Sequence, residues 1–362
     1  MTLLFSCSMV ENRPPRKNRA MSSIYCAHTM RFYFRLILVI SLLTSFCRVV
    51  QAADRPFFCN QCVRADEDFL ASDALHGRGS ATRDEHIAAI WAASQFESFG
   101  LEPGGDNGTF LQKAPLPNPL PERLKQHLAK YEDTPRTETW NAVAVLRGSD
   151  TKTQQDAILL TAHLDHLGIG PAVNDDTIYN GADDDASGTT AVIELARTLS
   201  EGKRPKRTVV FALFGSEEIG GFGNRYFIEH PPVPLDHIVA NLEFEMIGRP
   251  DPAIPAGNFW LTGYERSNLG PTLAKHGAHL VGDPHPDQKF FQRSDNYALA
   301  KRGIIAQTVS SFNLHMDYHQ PSDEISKLDI PYMTTVISSM VKPVQWLADT
   351  DWKPTWNPNG KP

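Results

Sequence analysis

The chain has 362 residues, 41% of them hydrophobic and 9% aromatic, enough to bury a substantial core and to build one large domain or two. Its formal net charge is −7; without the first 52 residues, 28 basic and 41 acidic side chains remain, a net of −13. That acidity argues against nucleic acid or an anionic membrane as a partner, since both carry the same sign of charge.

Residues 1–53 read as a leader rather than part of the fold. In "MRFYFRLILVISLLTSFCRVVQAADRP", Arg31 and Arg35 precede an apolar core from Leu36 to Phe46, and small residues follow near Ala52. This is the layout of a secretory signal at about 30–52, with cleavage expected after Ala52 or Ala53. The apolar core is short for a membrane span, although an uncleaved signal anchor is the alternative. The residues before Met30 read as a mis-called extension, with Met30 or Met21 as the true start. Cys59 and Cys62, in "CNQC", supply too few ligands for a structural zinc site, so a local disulfide in an exported protein is expected.

Next, "DEHIAAIWAASQFESF" (84–99) places Ile87, Ala88, Ile90 and Trp91 on one face of a helix that Gly100 ends. Residues 101–139, rich in Pro, Gly and charge, read as loop with one short helix. Strands are predicted at 141–146, 157–162, 208–214, 238–244, 258–263 and 303–309. Helices are predicted at 187–200, about 265–276, 294–301 and 330–348. Strands apolar on both faces and alternating with helices predict an α/β fold, a three-layer sandwich around a mostly parallel mixed sheet. The domain is expected over 54–350, with 351–362 as a Pro-rich tail.

Polar clusters interrupt this pattern at strand ends. His163 and Asp165 sit in "TAHLDHLG" after the 157–162 strand, Glu217 and Glu218 in "FGSEEIGG" after 208–214, and Glu245 in "NLEFEMIG" after 238–244. "GADDDASG" (181–188) precedes the 187–200 helix. In an open α/β sheet the carboxyl ends of parallel strands meet at one rim, where ligands bind. Singly, each cluster has a plainer reading: a hydrogen-bonded histidine, a solvated helix start, an exposed turn. Together they put an imidazole and several carboxylates on one edge, a donor set suited to zinc or its first-row neighbours. A cation among the aspartates would relieve their mutual repulsion.

The blocks "TAHLDHLG…IYNGADDDASGTTAVIELA…VVFALFGSEEIGGFGNRYF…NLEFEMIGR…DYHQPSDEISKL" resemble the co-catalytic zinc aminopeptidases, relatives of bacterial leucyl aminopeptidases, glutamate carboxypeptidases and glutaminyl cyclases. The resemblance runs from about residue 66 to 348 and implies a single catalytic domain of the zinc-peptidase (phosphorylase/hydrolase-like) type. The 113–140 stretch is too short for the protease-associated domain that many members insert there. It implies two Zn2+ per chain: His163 and Glu245 on one, Glu218 and His319 on the other, Asp184 on both. It also implies that Glu217 is the general base, that Asp165 orients His163, and that Tyr318 bonds the oxyanion. Two departures stand out. Glu245 occupies a position where most relatives have Asp, with Glu243 as the nearby fallback ligand, and Asn296 replaces a histidine beside Asp295.

The implied activity is removal of N-terminal residues from peptides by an exported enzyme, periplasmic or extracellular. Water would be activated between the two zinc ions. A glutaminyl cyclase-like acyltransferase, a carboxypeptidase or dipeptidase, and a non-catalytic binding ectodomain are the alternatives on the same scaffold. His163 favours two metals over the single zinc of the cyclases.

Overall fold

The computed structural model describes residues 58–131 and 136–362, which belong to one compact unit, Phe57–Pro362. The expected leader and its cleavage site lie outside the described residues. In chain order the elements are α1 (Asn60–Leu70), α2 (Arg83–Ser98), β1 (Glu102–Pro103), β2 (Leu111–Pro115), α3 (Glu122–Leu128), β3 (Glu138–Leu146), β4 (Ala157–His163), β5 (Gly168–Val173) and β6 (Asp176–Tyr179). There follow α4 (Gly188–Glu201), β7 (Thr208–Phe214), α5 (Phe222–Glu229), β8 (Ile238–Phe244), β9 (Phe259–Leu261), α6 (Leu269–Lys275), β10 (Leu280–Gly282), α7 (Asn296–Lys301), β11 (Ala306–Ser310) and α8 (Ile330–Asp349).

Nine strands form one mixed sheet in the order β1–β3–β7–β4–β8–β11–β9–β10, with β2 also paired to β3. The central four, β7, β4, β8 and β11, run parallel, while β3 and β9 flank them antiparallel. Side chains of a strand point alternately to opposite faces, so a strand covered on both sides must be apolar throughout. In β7, Val209, Phe211 and Leu213 join the core under one helical layer, and Val210, Ala212 and Phe214 join the core under the other. β4 divides likewise, Ile158 and Leu160 to one side and Ala157 and Leu159 to the other. Residues of α1, α2, α4 and α8 close the first face, and residues of α5 and α7 close the second. The expected three layers are present.

Local signals set the helix ends. The Thr82 hydroxyl accepts the Asp84 and Glu85 amides at the start of α2, and Gly100, at φ +72°, ends it in the left-handed region that glycine tolerates. Asp329 accepts the Tyr332 amide at the start of α8. Cys59 and Cys62 are joined in the first turn of α1, as their spacing suggests.

The 101–139 stretch departs from the expected loop. It contributes β1 and β2, both antiparallel on the outer edge of β3, besides the short helix α3. Residues 351–362 are pinned to the domain. The Thr355 amide donates to Asn268 Oδ1 (2.8 Å), the Trp356 indole to the Gly303 carbonyl (3.2 Å), and Arg266 to the Gly360 carbonyl (3.0 Å).

Phe211 lies at the centre of β7, fully buried with its ring 6.2 Å from that of Phe96. Phe211→Ala is expected to destabilise the fold by about 3–5 kcal/mol in denaturant titration. Ile90→Ala, at a half-exposed position of α2, should cost no more than about 0.5 kcal/mol. Equal losses would contradict the layer assignment.

Candidate metal centre

The parallel strands β4, β7 and β8 deliver their following residues to the same edge. His163 is the last residue of β4, Glu217 and Glu218 follow β7 after the Gly215–Ser216 turn, and Glu245 follows β8 directly. That turn is tightly packed: a Cβ on Gly215 would lie 2.4 Å from the Thr139 hydroxyl and 2.7 Å from Glu85 Oε1. Two buried carboxylates hold it. Glu85, from the first turn of α2, accepts the amides of Ala81 (2.7 Å), Trp140 (3.0 Å) and Ser216 (3.1 Å) and the Thr139 hydroxyl (2.6 Å). Asp165 accepts the amides of Glu217 (2.9 Å) and Glu218 (3.3 Å) and the Ser80 hydroxyl (2.5 Å). The Asp165 carboxylate stays 3.8 Å from His163 Nδ1, whose nearer partner is the Asp165 backbone carbonyl at 3.1 Å. The expected orienting contact thus runs through the backbone of Asp165, and its side chain secures the glutamate turn.

The three aspartates diverge. Asp183 turns back to accept the Gly248 amide (2.8 Å) and to meet His315 Nε2 (3.0 Å). Asp185 accepts the amides of His163 (3.2 Å), Gly188 (3.0 Å) and Met246 (3.1 Å). Only Asp184 faces the donor cluster. The Asp183 and Asp184 amides both donate to Asp323, which is paired with Arg249 (3.0 Å), itself bonded to Asp317 (2.7 Å). Amide donors and an arginine therefore relieve the outer two aspartates, leaving Asp184 for the site.

Asp184 Oδ1 lies 3.3 Å from His163 Nε2, and its Oδ2 lies 3.2 Å from His319 Nε2. His319 Nε2 is also 3.2 Å from Glu218 Oε2. Two groups of possible metal donors share Asp184: His163, Asp184 and Glu245, and His166, Asp184 and Glu218, with ligand atoms in each group within 4.8 Å of one another. Neighbouring donors around a tetrahedral ion bound at 2.0–2.1 Å stand about 3.3 Å apart, so these spacings fit a divalent metal. His163 Nε2 is buried and makes no hydrogen bond among the described residues, a lone pair aimed at the place an ion would occupy. Glu217 and Tyr318 line the same cavity, and Tyr318 stacks on His319 with ring centroids 3.9 Å apart. All eight residues picked from the sequence are therefore placed in or directly beside one cavity.

The charges pull apart strongly. Burial raises the Glu217 carboxyl well above its ordinary range, and Asp295, Glu218 and Glu245 add to the effect against His163. Burial also raises Glu245. Against burial, the imidazoles of His163 and His319 beside it hold Asp184 well below the carboxylate range. Glu218, opposed by burial and by Asp184, is held at about 2 by His319 and His166.

Glu243, the alternative to Glu245, is engaged elsewhere. It accepts the Ser294 hydroxyl (2.8 Å), the Asn296 amide (2.5 Å) and the Thr308 hydroxyl (3.2 Å). Asn296 donates its side-chain amide to the Phe291 (3.2 Å) and Ala306 (3.3 Å) carbonyls, a structural use of the position. Asp295 accepts from Asn224 (3.0 Å). The sequence reading gave no role to His166, whose Nδ1 is 2.8 Å from Glu218 Oε1. Its signal was the second histidine of "TAHLDHLG".

Asp323→Ala would strip Arg249 and two amides of a buried partner, and a loss of about 3–5 kcal/mol is expected in thermal or chemical unfolding. Asp317→Ala, at the more exposed end of the same arginine, should cost no more than about 1 kcal/mol. Equal costs would contradict the role given to Asp323.

Residues 141–342 match Peptidase family M28. An aminopeptidase of Pseudomonas aeruginosa (strain UCBPP-PA14) is 33% identical over 155 residues, 42% of this chain; the match spans only 24% of that relative's length. The structure of BSAP, a zinc aminopeptidase from Bacillus subtilis, superposes with a TM-score of 0.58 at 16% identity, covering 83% of this chain and 97% of that one. Porphyromonas gingivalis glutaminyl cyclase does so with 0.58 at 17%, covering 80% and 99%. At such identities the structural likeness is one of fold. The family match covers more than half of the chain and takes in His163, Asp184, Glu217, Glu218, Glu245 and His319; this chain belongs to Peptidase family M28.

Proposed function

We propose that this chain is an exported, zinc-dependent aminopeptidase that hydrolyses the N-terminal residue from peptides. The observation that carries the reading is Asp184 set between two imidazoles, one oxygen 3.3 Å from His163 Nε2 and the other 3.2 Å from His319 Nε2, with Glu217 lining the same cavity. The name of the Pseudomonas relative and the zinc named for the Bacillus structure agree with it. His163 and Glu245 would hold one ion, Glu218 and His319 the other, and Asp184 both. Two such ions supply acidified water and polarise the scissile carbonyl.

The rest falls to the chain's own groups. Glu217 takes a proton from the attacking water and returns it to the departing amine. Its backbone is clamped by Asp165, so its side chain and that of adjacent Glu218 can diverge. The Tyr318 phenol is raised by burial and by nearby carboxylates, stays protonated, and can donate to the oxyanion formed from the carbonyl. Export accords with the leader read from the sequence and with the Cys59–Cys62 disulfide, a bond suited to an oxidising compartment.

The test is a panel of aminoacyl chromogenic substrates and peptides with free and blocked N-termini. Free N-termini should be hydrolysed, blocked ones spared, and a chelator should abolish turnover until Zn2+ is restored. Glu217→Gln should keep its metal content and lose about two to four orders of magnitude in rate. Normal turnover by Glu217→Gln would reject its role, and conversion of N-terminal glutamine to pyroglutamate without hydrolysis would reject the aminopeptidase reading.

A further inference from the structure

His166 stands among the candidate donors without a part in the proposed reaction. Its ring is fully buried, with Nδ1 2.8 Å from Glu218 Oε1 and 3.8 Å from Asp184 Oδ2. The ring meets that of His319 edge to face, centroids 5.6 Å apart. Its backbone is tied on both sides, the His166 amide donating to the Arg78 carbonyl (3.1 Å) and the Ser80 amide to the His166 carbonyl (3.1 Å). Gly181, at φ +59°, lies directly against the imidazole: a Cβ there would fall 2.5 Å from Cγ and 2.7 Å from Cδ2 of His166. The fold has made room for this ring.

We infer that His166 is a positioning residue whose Nδ1–H holds Glu218 Oε1, so that Glu218 offers a single oxygen, Oε2, to a metal ion together with His319 and Asp184. This rests on the reading that Glu218 holds a metal. The distances separate the two roles the ring could play. A contact of 2.8 Å is a hydrogen-bond length, short of the roughly 3.3 Å expected between two donors on one tetrahedral ion. The His319 contacts to Glu218 Oε2 and Asp184 Oδ2, both 3.2 Å, match the latter.

The other ring nitrogen agrees. His166 Nε2 is buried and has no hydrogen-bond partner among the described residues. With the hydrogen on Nδ1, Nε2 is left as a bare acceptor; were Nδ1 on the metal, Nε2–H would be a buried orphan donor, which folded proteins tolerate less well. The consequence is functional. A carboxylate bound through both oxygens would fill two coordination positions, whereas one held back by His166 leaves a position open for substrate.

The test uses the full mature chain, with Zn2+ affinity measured by chelator competition and the visible spectrum recorded after loading with Co2+. Wild type should bind two ions. His166→Ala should weaken one of them by about 10–100-fold, the usual scale for loss of a ligand's hydrogen-bond partner, and spare the other. The Co2+ spectrum of that variant should lose intensity as Glu218 swings to two-oxygen binding and the coordination number rises. His166→Asn, whose side-chain N–H can occupy the place of Nδ1–H, should recover both the affinity and the spectrum, which a merely space-filling role would not allow.

Unchanged affinity in His166→Ala would overturn the inference. Loss in His166→Asn equal to that in His166→Ala would also overturn it, by making the imidazole itself a ligand. A wild-type chain that binds fewer than two ions would defeat the metal reading beneath it, an outcome distinguishable from either variant result.

Discussion

A single buried carboxylate, Asp184, points one oxygen at His163 and the other at His319, and the rest of the site is built around keeping it there. Carboxylates and imidazoles this close and largely buried are costly unless each finds an opposite charge or a donor. The chain meets that demand in two tiers. The outer acids are satisfied by protein: Asp183 by Gly248 and His315, Asp185 by three amides, Asp165 by the Glu217–Glu218 turn. The inner ones, Asp184, Glu218 and Glu245 with His163 and His319, are left facing one another at metal-donor spacing.

Rigidity at the centre comes from the connections beneath it. Glu85 joins the start of α2 to β3 and to the turn after β7, so the helical layer and the sheet fix the Glu217–Glu218 backbone together. Arg78, fully buried, donates to the carbonyls of Leu70, Leu164, Asn180 and Gly181, which ties the end of α1, the residue after His163 and the entrance to the aspartate loop into one knot. Asp323 and Arg249 close the loop from the opposite side. In the proposed reaction these residues touch no substrate, yet they set how far apart the inner groups can stand.

Much of this was legible in the sequence because burial leaves a simple imprint. β4 and β7 are apolar at every position since both of their faces are covered, and that pattern gave the sandwich and the rim at once. The family likeness expected from the motif blocks agrees with the match over 141–342. Short or half-exposed elements were not legible. β1 has two residues, β2 is an edge strand carrying Lys113 and Pro115, and the β5–β6 hairpin is only partly buried, so none carries a strong period. The docking of 351–362 rests on individual hydrogen bonds to Asn268 and Gly303, which a segment punctuated by Pro354, Pro358 and Pro362 conceals.

Within the site, residue types were legible and their division of labour was not. Three adjacent aspartates look alike in a string, but the loop sends each in a different direction. Asp165 was marked for its spacing from His163, yet its carboxylate serves the glutamate turn because two free amides lie closer to it than the imidazole does. His166 carries no such mark, because nothing in the sequence says which carboxylate a histidine three positions after another will meet.

The most direct test of the account is the Zn2+ stoichiometry of the purified chain beside that of Asp184→Ala, measured by elemental analysis after dialysis. Two ions in the wild type, and loss of tight binding at both positions from that one substitution, is the predicted result. An Asp184→Ala chain that is folded and still holds two ions tightly would contradict it.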